Sequence, residues 1–154
     1  MFRAAGATVV MTRKDSLPVD LGYRPIFADS IGADLLLSVH NNALPDGVNP
    51  FTNAGTSVYY NQPRSLPWAR PVEAALVRRL GIPELGVGRG DLALVRPTWM
   101  PSILTEGMFM MIPEQEYALR SAAGQRLYAQ AVYDGTLAFL RERARVPRPA
   151  PAAR

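Results

Sequence analysis

Two stretches decide the fold of this chain: LLLSVHNNA at residues 35–43 and SILTEGMF at residues 102–109. Each begins with a short apolar run of the kind that forms a buried strand. Each then places a chemically capable side chain after that run, His40 in the first and Glu106 in the second. In an open α/β sheet, ligands bind outside the carboxyl ends of the strands. Both side chains are therefore expected where the chemistry is done.

The remaining elements alternate between strand and helix patterns. Short β-branched or apolar runs predict strands at residues 7–12, 56–60 and 92–95, and apolar residues at helical spacing predict helices at 20–30, 68–80 and 118–144. A long loop is expected at 41–55, and GVGRG at 86–90 is interpreted as a turn-rich loop because it lacks the Lys-Ser/Thr of a phosphate loop. This alternation predicts an α/β fold of three layers, a mainly parallel sheet flanked by helices.

Composition bounds the class of protein. The 154 residues suffice for one domain with a real core, and no apolar run approaches the length of a membrane span. The net charge of +4 comes from scattered arginines. That favours a solvated basic surface over a nucleic-acid site, and leaves open a weak attraction to an anionic polymer such as a bacterial wall. The absence of cysteine excludes disulfides and thiolate metal sites. Oligomeric state is left undetermined.

Two boundaries follow from the ends of the chain. Residues 1–144 are predicted to form the domain, and residues 145–154, rich in proline, alanine and arginine, a disordered tail. The first residues lack the charged start and sustained apolar run of a signal peptide.

Six segments in order carry a resemblance. They are GATVVMTR at 6–13, LSVHNNA at 37–43, NAGTSVYY at 53–60, DLALVR at 91–96, MPSILTE at 100–106 and IPEQE at 112–116. In this order they resemble the zinc-dependent N-acetylmuramoyl-L-alanine amidases of the Amidase_3 type, over about residues 6–140. The resemblance implies hydrolysis of the amide between N-acetylmuramic acid and L-alanine in peptidoglycan, and a periplasmic or extracellular location. It makes His40 a Zn²⁺ ligand and Glu106 the general base and acid.

Two further residues are weaker candidates for substrate contacts. Asn42 follows the histidine in a region where asparagine is also an ordinary loop residue. Arg96 is the second candidate, although an ion pair between Arg96 and Glu106 would explain both residues structurally.

The sequence also departs from the family. The family's glycine-rich first strand with its first zinc histidine, and the glutamate ligand near its first helix, are absent from residues 1–154, so the first strand and most of the first helix are expected to be missing. The family binds zinc through two histidines and a glutamate, and this chain has one histidine. The Zn²⁺ site is therefore expected to be incomplete. Three hypotheses stay open: an active amidase with a longer product, an inactive remnant or wall-binding domain, and, much weaker, a basic nucleic-acid-binding domain.

Overall fold

A computed structural model describes residues 1–145 and contains one four-stranded sheet. The strands are β1 (Leu36–Asn42), β2 (Thr56–Tyr60), β3 (Glu84–Arg89) and β4 (Ser102–Phe109), in the spatial order β1-β4-β2-β3. β1 pairs with β4 and β2 with β3 in parallel, whereas β2 and β4 are antiparallel. The predicted α/β fold with a sheet flanked by helices is confirmed, and the sheet is mixed.

Four α-helices surround the sheet: α1 (Tyr23–Ser30), α2 (Leu66–Leu80), α3 (Pro113–Arg120) and α4 (Ala122–Arg145). Short 3-10 helices occur at Arg3–Ala5, Pro63–Ser65 and Ala93–Val95. Within residues 1–145, no helix is long and apolar enough to cross a membrane.

α2 and α4 pack together on one face of the sheet and form the main core. The predicted apolar stripes of both helices are buried there, around Trp68, Leu76 and Phe139. The indole N–H of Trp68 donates to Thr136 Oγ1 at 3.0 Å, which satisfies the polar atom of this buried ring. Apolar side chains of β2 and β4 close the core from the sheet side.

α1 packs on the opposite face. Leu36 of β1 is buried with Ala28 of α1 and with Met100, while its neighbours Leu35 and Leu37 pack against the main core. Successive side chains of a strand point to opposite faces, so the amino-terminal half of β1 is covered on both sides. This gives three layers, with the sheet in the middle.

The prediction of a strand at residues 7–12 is wrong. These residues are irregular, and most of their side chains are exposed. The carbonyl of Val9 accepts a hydrogen bond from the Arg3 guanidinium at 2.9 Å rather than from a neighbouring strand. A β-branched run becomes a strand only when another strand pairs with it, and none of the four strands at residues 36–109 lies in register with it.

Two other predictions along the sheet are also wrong. The glycine-rich segment at 86–90 is largely strand β3 rather than a loop. Its glycines admit a neighbouring ring, since a Cβ on Gly88 would lie 3.0 Å from the side chain of Tyr59. The strand predicted at 92–95 is instead the 3-10 helix at Ala93–Val95, whose Leu94 and Val95 are buried. A short apolar run indicates burial but does not distinguish strand from helix.

The helix predicted at 118–144 is two helices. Ser121 lies between α3 and α4 in an extended conformation, and its hydroxyl accepts the N–H of Gly124 at 2.9 Å, which caps α4. The helix predicted at 20–30 begins at Tyr23, with Pro25 in its first turn. β1 extends through Asn42, so Asn41 and Asn42 belong to the strand and not to the loop predicted at 41–55. Of the predicted tail, residues 146–154 lie outside the described residues.

Candidate active site

His40, Glu106 and Ser57 form one row across three neighbouring strands. His40 of β1 is the register partner of Glu106 of β4, and Glu106 is also the register partner of Ser57 of β2. Adjacent strands lie about 4.8 Å apart, and paired residues point to the same face. The sheet therefore brings together the two residues that were predicted separately, and adds a serine.

The row lies on the face opposite α4. Thr105, the neighbour of Glu106 along β4, is hydrogen-bonded to Tyr128 of α4, so Glu106 points to the other side. β4 continues through Phe109, so Glu106 lies inside the strand rather than at its end. The register of β1 and β4 shifts between His40 and Asn42, which marks a bulge beside the histidine. Bulges often occur next to active sites, where they redirect a side chain.

Tyr128 of α4 holds β1 and β4 together through hydrogen bonds. Its hydroxyl donates to the carbonyl oxygen of His40 at 2.7 Å and lies 2.8 Å from Thr105 Oγ1. The ring packs directly against Gly107, where a Cβ would lie 2.2 Å from the tyrosine ring. One buried side chain on α4 thus holds the backbone of β1 and β4 together at the level of the row.

The two titratable groups are both shifted toward their neutral forms. Burial raises the pKa of the Glu106 carboxyl above its ordinary value. Burial lowers the pKa of His40, and the positive charges of Arg24 and Arg13 lower it further. A neutral imidazole has a free nitrogen lone pair, which is the form that binds metals and accepts protons.

Three buried oxygens near the row have no hydrogen-bond partner among residues 1–145. They are Glu106 Oε2, Ser57 Oγ and Asn41 Oδ1. Most buried polar atoms in proteins are hydrogen-bonded, so each such atom needs an explanation. Because they lie in or next to the row, these oxygens are available to bind a ligand.

The structure separates the two weaker candidates. Asn42 ends β1 beside the row, and its Oδ1 accepts the backbone N–H of Ala43 at 2.9 Å. Arg96 lies elsewhere: its guanidinium donates to Asp91 at 2.7 Å, and its carbonyl accepts from Gln62, which follows the carboxyl end of β2. Because β2 runs antiparallel to β4, that end of β2 is remote from Glu106. The predicted alternative of an Arg96–Glu106 ion pair is not formed.

Ser57 and Tyr128 are the site residues that the sequence analysis missed. In the sequence, Ser57 is an ordinary residue of the strand predicted at 56–60. Its position beside Glu106 depends on the antiparallel register of β2 with β4. Tyr128 lies in the helix predicted at 118–144, and its side chain is buried there. Nothing in helical spacing shows that its hydroxyl reaches the strand carrying His40, because the two residues are 88 positions apart.

The family model for N-acetylmuramoyl-L-alanine amidase, Amidase_3, matches residues 1–138. The chain belongs to this family. The resemblance drawn from its six segments is confirmed. Among curated relatives, it is 31% identical to the N-acetylmuramoyl-L-alanine amidase LytC of Bacillus subtilis over 91% of this chain and 28% of LytC. It is 29% identical to the probable cell wall amidase LytH of Staphylococcus aureus over 84% of this chain and 42% of LytH. The chain thus spans less than half the length of these relatives.

Solved structures share the fold. The amidase AmiC2 of Nostoc punctiforme superposes with a TM-score of 0.82 at 27% identity, covering 91% of this chain and 76% of AmiC2. The catalytic domain of the amidase CwlV from Bacillus (Paenibacillus) polymyxa gives a TM-score of 0.78 at 27% identity, covering 87% of this chain and 73% of the CwlV chain. The amidase family's layered architecture therefore extends over most of the described residues.

The residues of this site do not by themselves fit the zinc ion on which the family generally depends. The neutral imidazole of His40 and the unpartnered Oε2 of Glu106 suit a metal. Catalytic zinc, however, normally has three protein ligands, and residues 1–145 contain no cluster of three histidine, cysteine, aspartate or glutamate side chains. His40 is also the only histidine in the sequence.

Proposed function

We propose that this amidase domain acts on the amide between N-acetylmuramic acid and L-alanine in peptidoglycan, with Glu106 as the group that moves protons. The observation that supports this most directly is the register pairing of His40 and Glu106 on one face of the sheet. Membership of the amidase family supports the choice of substrate. The names of the relatives, one of them a cell wall amidase, support a location at the cell wall, outside the cytoplasmic membrane.

Glu106 has the properties of a general base that later becomes a general acid. When ionised, it takes a proton from the water that attacks the amide carbonyl, and it then gives this proton to the nitrogen of the leaving L-alanine. Burial raises the pKa of this carboxyl, which brings it closer to neutral pH and makes it a better proton acceptor. Ser57, the register partner of Glu106 on β2, keeps its hydroxyl unpartnered next to this strand position.

His40 would supply one metal ligand, and Asn42 lies at the edge of the row where the substrate would approach. A working zinc centre requires further ligands that residues 1–145 do not provide. Arg96 is left out of the site because it lies at the other end of the sheet.

Replacement of Glu106 by glutamine tests the proposal. The full natural polypeptide is supplied with Zn²⁺ and a purified muropeptide, and release of the L-alanine amino group is measured by mass spectrometry. We expect Glu106→Gln to lower the rate by roughly 100-fold or more, because the amide cannot accept the proton. Glu116→Gln is the matched control, since Glu116 is an exposed carboxylate of α3. Full activity in Glu106→Gln would remove Glu106 from its assigned role.

A non-catalytic wall-binding domain is the second candidate, and the shortage of metal donors favours it. This hypothesis predicts that the protein sediments with insoluble peptidoglycan but releases no L-alanine amino groups, even when Zn²⁺ is in excess. It also predicts that Glu106→Gln binds the wall as the unmodified protein does. Release of amino groups by the unmodified protein but not by Glu106→Gln would exclude it.

A further inference from the structure

A second concave site lies at the opposite end of the sheet from His40 and Glu106. It is a cavity of about 670 Å³, within the usual size range of ligand pockets. Asp34, which precedes β1, and Pro101, which precedes β4, line it, so it lies at the amino ends of these two parallel strands. Pro101 and Glu106 are five steps apart along the strand, or about 16 Å. The cavity is therefore distinct from the candidate active site.

An indole ring forms part of its wall. Trp99 lines the cavity and is 51% exposed, in contrast to Trp68, which is 1% exposed in the core. Phe139, which stacks on Trp68, closes the cavity from below. A large aromatic ring that is left half in solvent and faces a concavity offers an apolar surface to a flat ligand.

The charged groups of the wall balance. The cavity lining includes two guanidinium groups, of Arg64 and Arg143, and two carboxylates, of Asp34 and Glu142. The salt bridges found within residues 1–145 include none between these guanidinium groups and these carboxylates; Glu142 pairs with Arg145 at 3.2 Å. Glu142 is thus already engaged by Arg145, and the cavity offers donors from its guanidinium groups and acceptors from its carboxylates.

This combination selects a class of ligand. Hydroxyl groups donate to carboxylates and accept from guanidinium groups, so a ligand with many hydroxyls can satisfy both kinds of wall group. The C–H face of a sugar ring supplies the apolar surface that an exposed indole can cover. An anionic ligand would be repelled by the two carboxylates, and a cationic ligand would be repelled by the two guanidinium groups. An uncharged saccharide avoids both repulsions.

We propose that this cavity binds an uncharged, N-acetylated saccharide and holds a glycan strand at the end of the sheet remote from Glu106. The saccharide chemistry comes from the cavity itself, whereas the choice of an N-acetylated glycan rests on the proposed function. A second point of attachment lowers the rate at which an enzyme or binding domain leaves a polymer, because the other point becomes intramolecular.

The test uses a chitin oligosaccharide, a chain of uncharged N-acetylglucosamine, titrated into the full natural polypeptide in the presence of a metal chelator. Tryptophan fluorescence reports binding, since Trp99 is exposed and Trp68 is buried. We expect a saturable change that is insensitive to salt. Trp99→Ala should weaken binding, measured by calorimetry, by about tenfold. Arg64→Gln and Arg143→Gln should weaken it several-fold, and Arg78→Gln, an exposed arginine of α2 outside the cavity, should leave it unchanged.

Several results would overturn the inference. One is the absence of saturable binding at millimolar oligosaccharide. Others are unchanged binding in both Trp99→Ala and Arg143→Gln, or binding only to an anionic polymer with steep loss in salt. Circular dichroism identifies a variant that fails to fold, and Arg143, exposed near the end of α4, gives an independent variant. The chelator keeps metal-dependent turnover out of the binding measurement, and amide hydrolysis is measured separately with Zn²⁺. Saccharide binding with no hydrolysis in that separate assay would refute only the proposed function. Hydrolysis without saccharide binding would refute only this inference.

Discussion

At the scale of single residues, Tyr128 links the core to the candidate site. Its buried hydroxyl donates to the His40 carbonyl and contacts Thr105 Oγ1. Tyr128→Phe keeps the ring and removes the hydroxyl, which leaves buried groups of β1 and β4 without their partner. We expect the free energy of unfolding to fall by about 1–3 kcal/mol. Urea denaturation measures this change. Tyr117→Phe is the control, since Tyr117 is 77% exposed and should change stability little.

The second residue-scale prediction concerns the glycine on which this tyrosine packs. A Cβ on Gly107 would lie 2.2 Å from the ring of Tyr128, closer than real contacts allow, and the ring is held by its hydrogen bonds. Gly107→Ala should therefore destabilise the protein by more than about 1 kcal/mol and displace the ring. Gly90→Ala is the comparison. Its Cβ would lie 3.3 Å from the side chain of Tyr59, a tight contact that a small shift relieves, so it should destabilise the protein less. Equal melting temperatures for Gly107→Ala and the unmodified protein would contradict the prediction.

At the scale of elements, one hydroxyl separates α3 from α4. Ser121 Oγ accepts the N–H of Gly124 at 2.9 Å and donates to the carbonyl of Ala118 at 2.9 Å. Ser121→Ala removes the cap of α4, the helix that carries Tyr128, and should lower the free energy of unfolding by about 1 kcal/mol. Ser16→Ala, in an exposed loop, is the control. No difference between the two variants in a denaturation experiment would show that the cap contributes nothing.

The elements also show what the sequence could predict. Periodicity identified α2 and the buried half of α4, because both helices bury one continuous stripe against the same core. It identified β1, β2 and β4, whose apolar runs are buried by the helices. The prediction failed for residues 7–12, because this run has no strand to pair with. It also failed for β3, whose glycines leave room for the neighbouring ring of Tyr59. Pairing and cross-strand packing are non-local, and local composition does not contain them.

The same distinction applies to the site. His40 and Glu106 were predicted from their positions after apolar runs, and the structure aligns them in register. Their assigned roles stay predictions. Ser57 joins the row only because β2 runs antiparallel to β4, a direction that a prediction of a mainly parallel sheet did not include. Arg96 was a weak candidate for a substrate contact, yet it lies at the other end of the sheet, beside Asp91.

At the scale of the whole molecule, a buried carboxyl joins the sheet to α2. Glu73 is 1% exposed and accepts a hydrogen bond from Thr56 Oγ1 at 2.6 Å. Burial raises the pKa of Glu73 from 4.5 to about 6, although the hydrogen bond from Thr56 opposes the shift. The other carboxylate oxygen, Oε2, has no partner among the described residues. The charged form is thus poorly solvated, and the folded protein binds the proton more tightly than the unfolded chain does.

The sign of the pH dependence follows from this. A carboxyl whose pKa is raised on folding contributes its full stability below the unfolded pKa of 4.5, and this contribution is lost as the pH rises through about 6. The shift corresponds to about 2 kcal/mol. Glu73→Gln keeps an acceptor for Thr56 and cannot ionise, so it should escape this loss. The free energy of unfolding of the unmodified protein, relative to Glu73→Gln, should therefore fall by about 2 kcal/mol between about pH 4 and pH 7. Urea denaturation across this range measures the difference, and Glu116→Gln, which replaces an exposed carboxylate, corrects for the substitution itself. A difference that stays constant with pH would mean that Glu73 ionises as easily in the fold as in the unfolded chain.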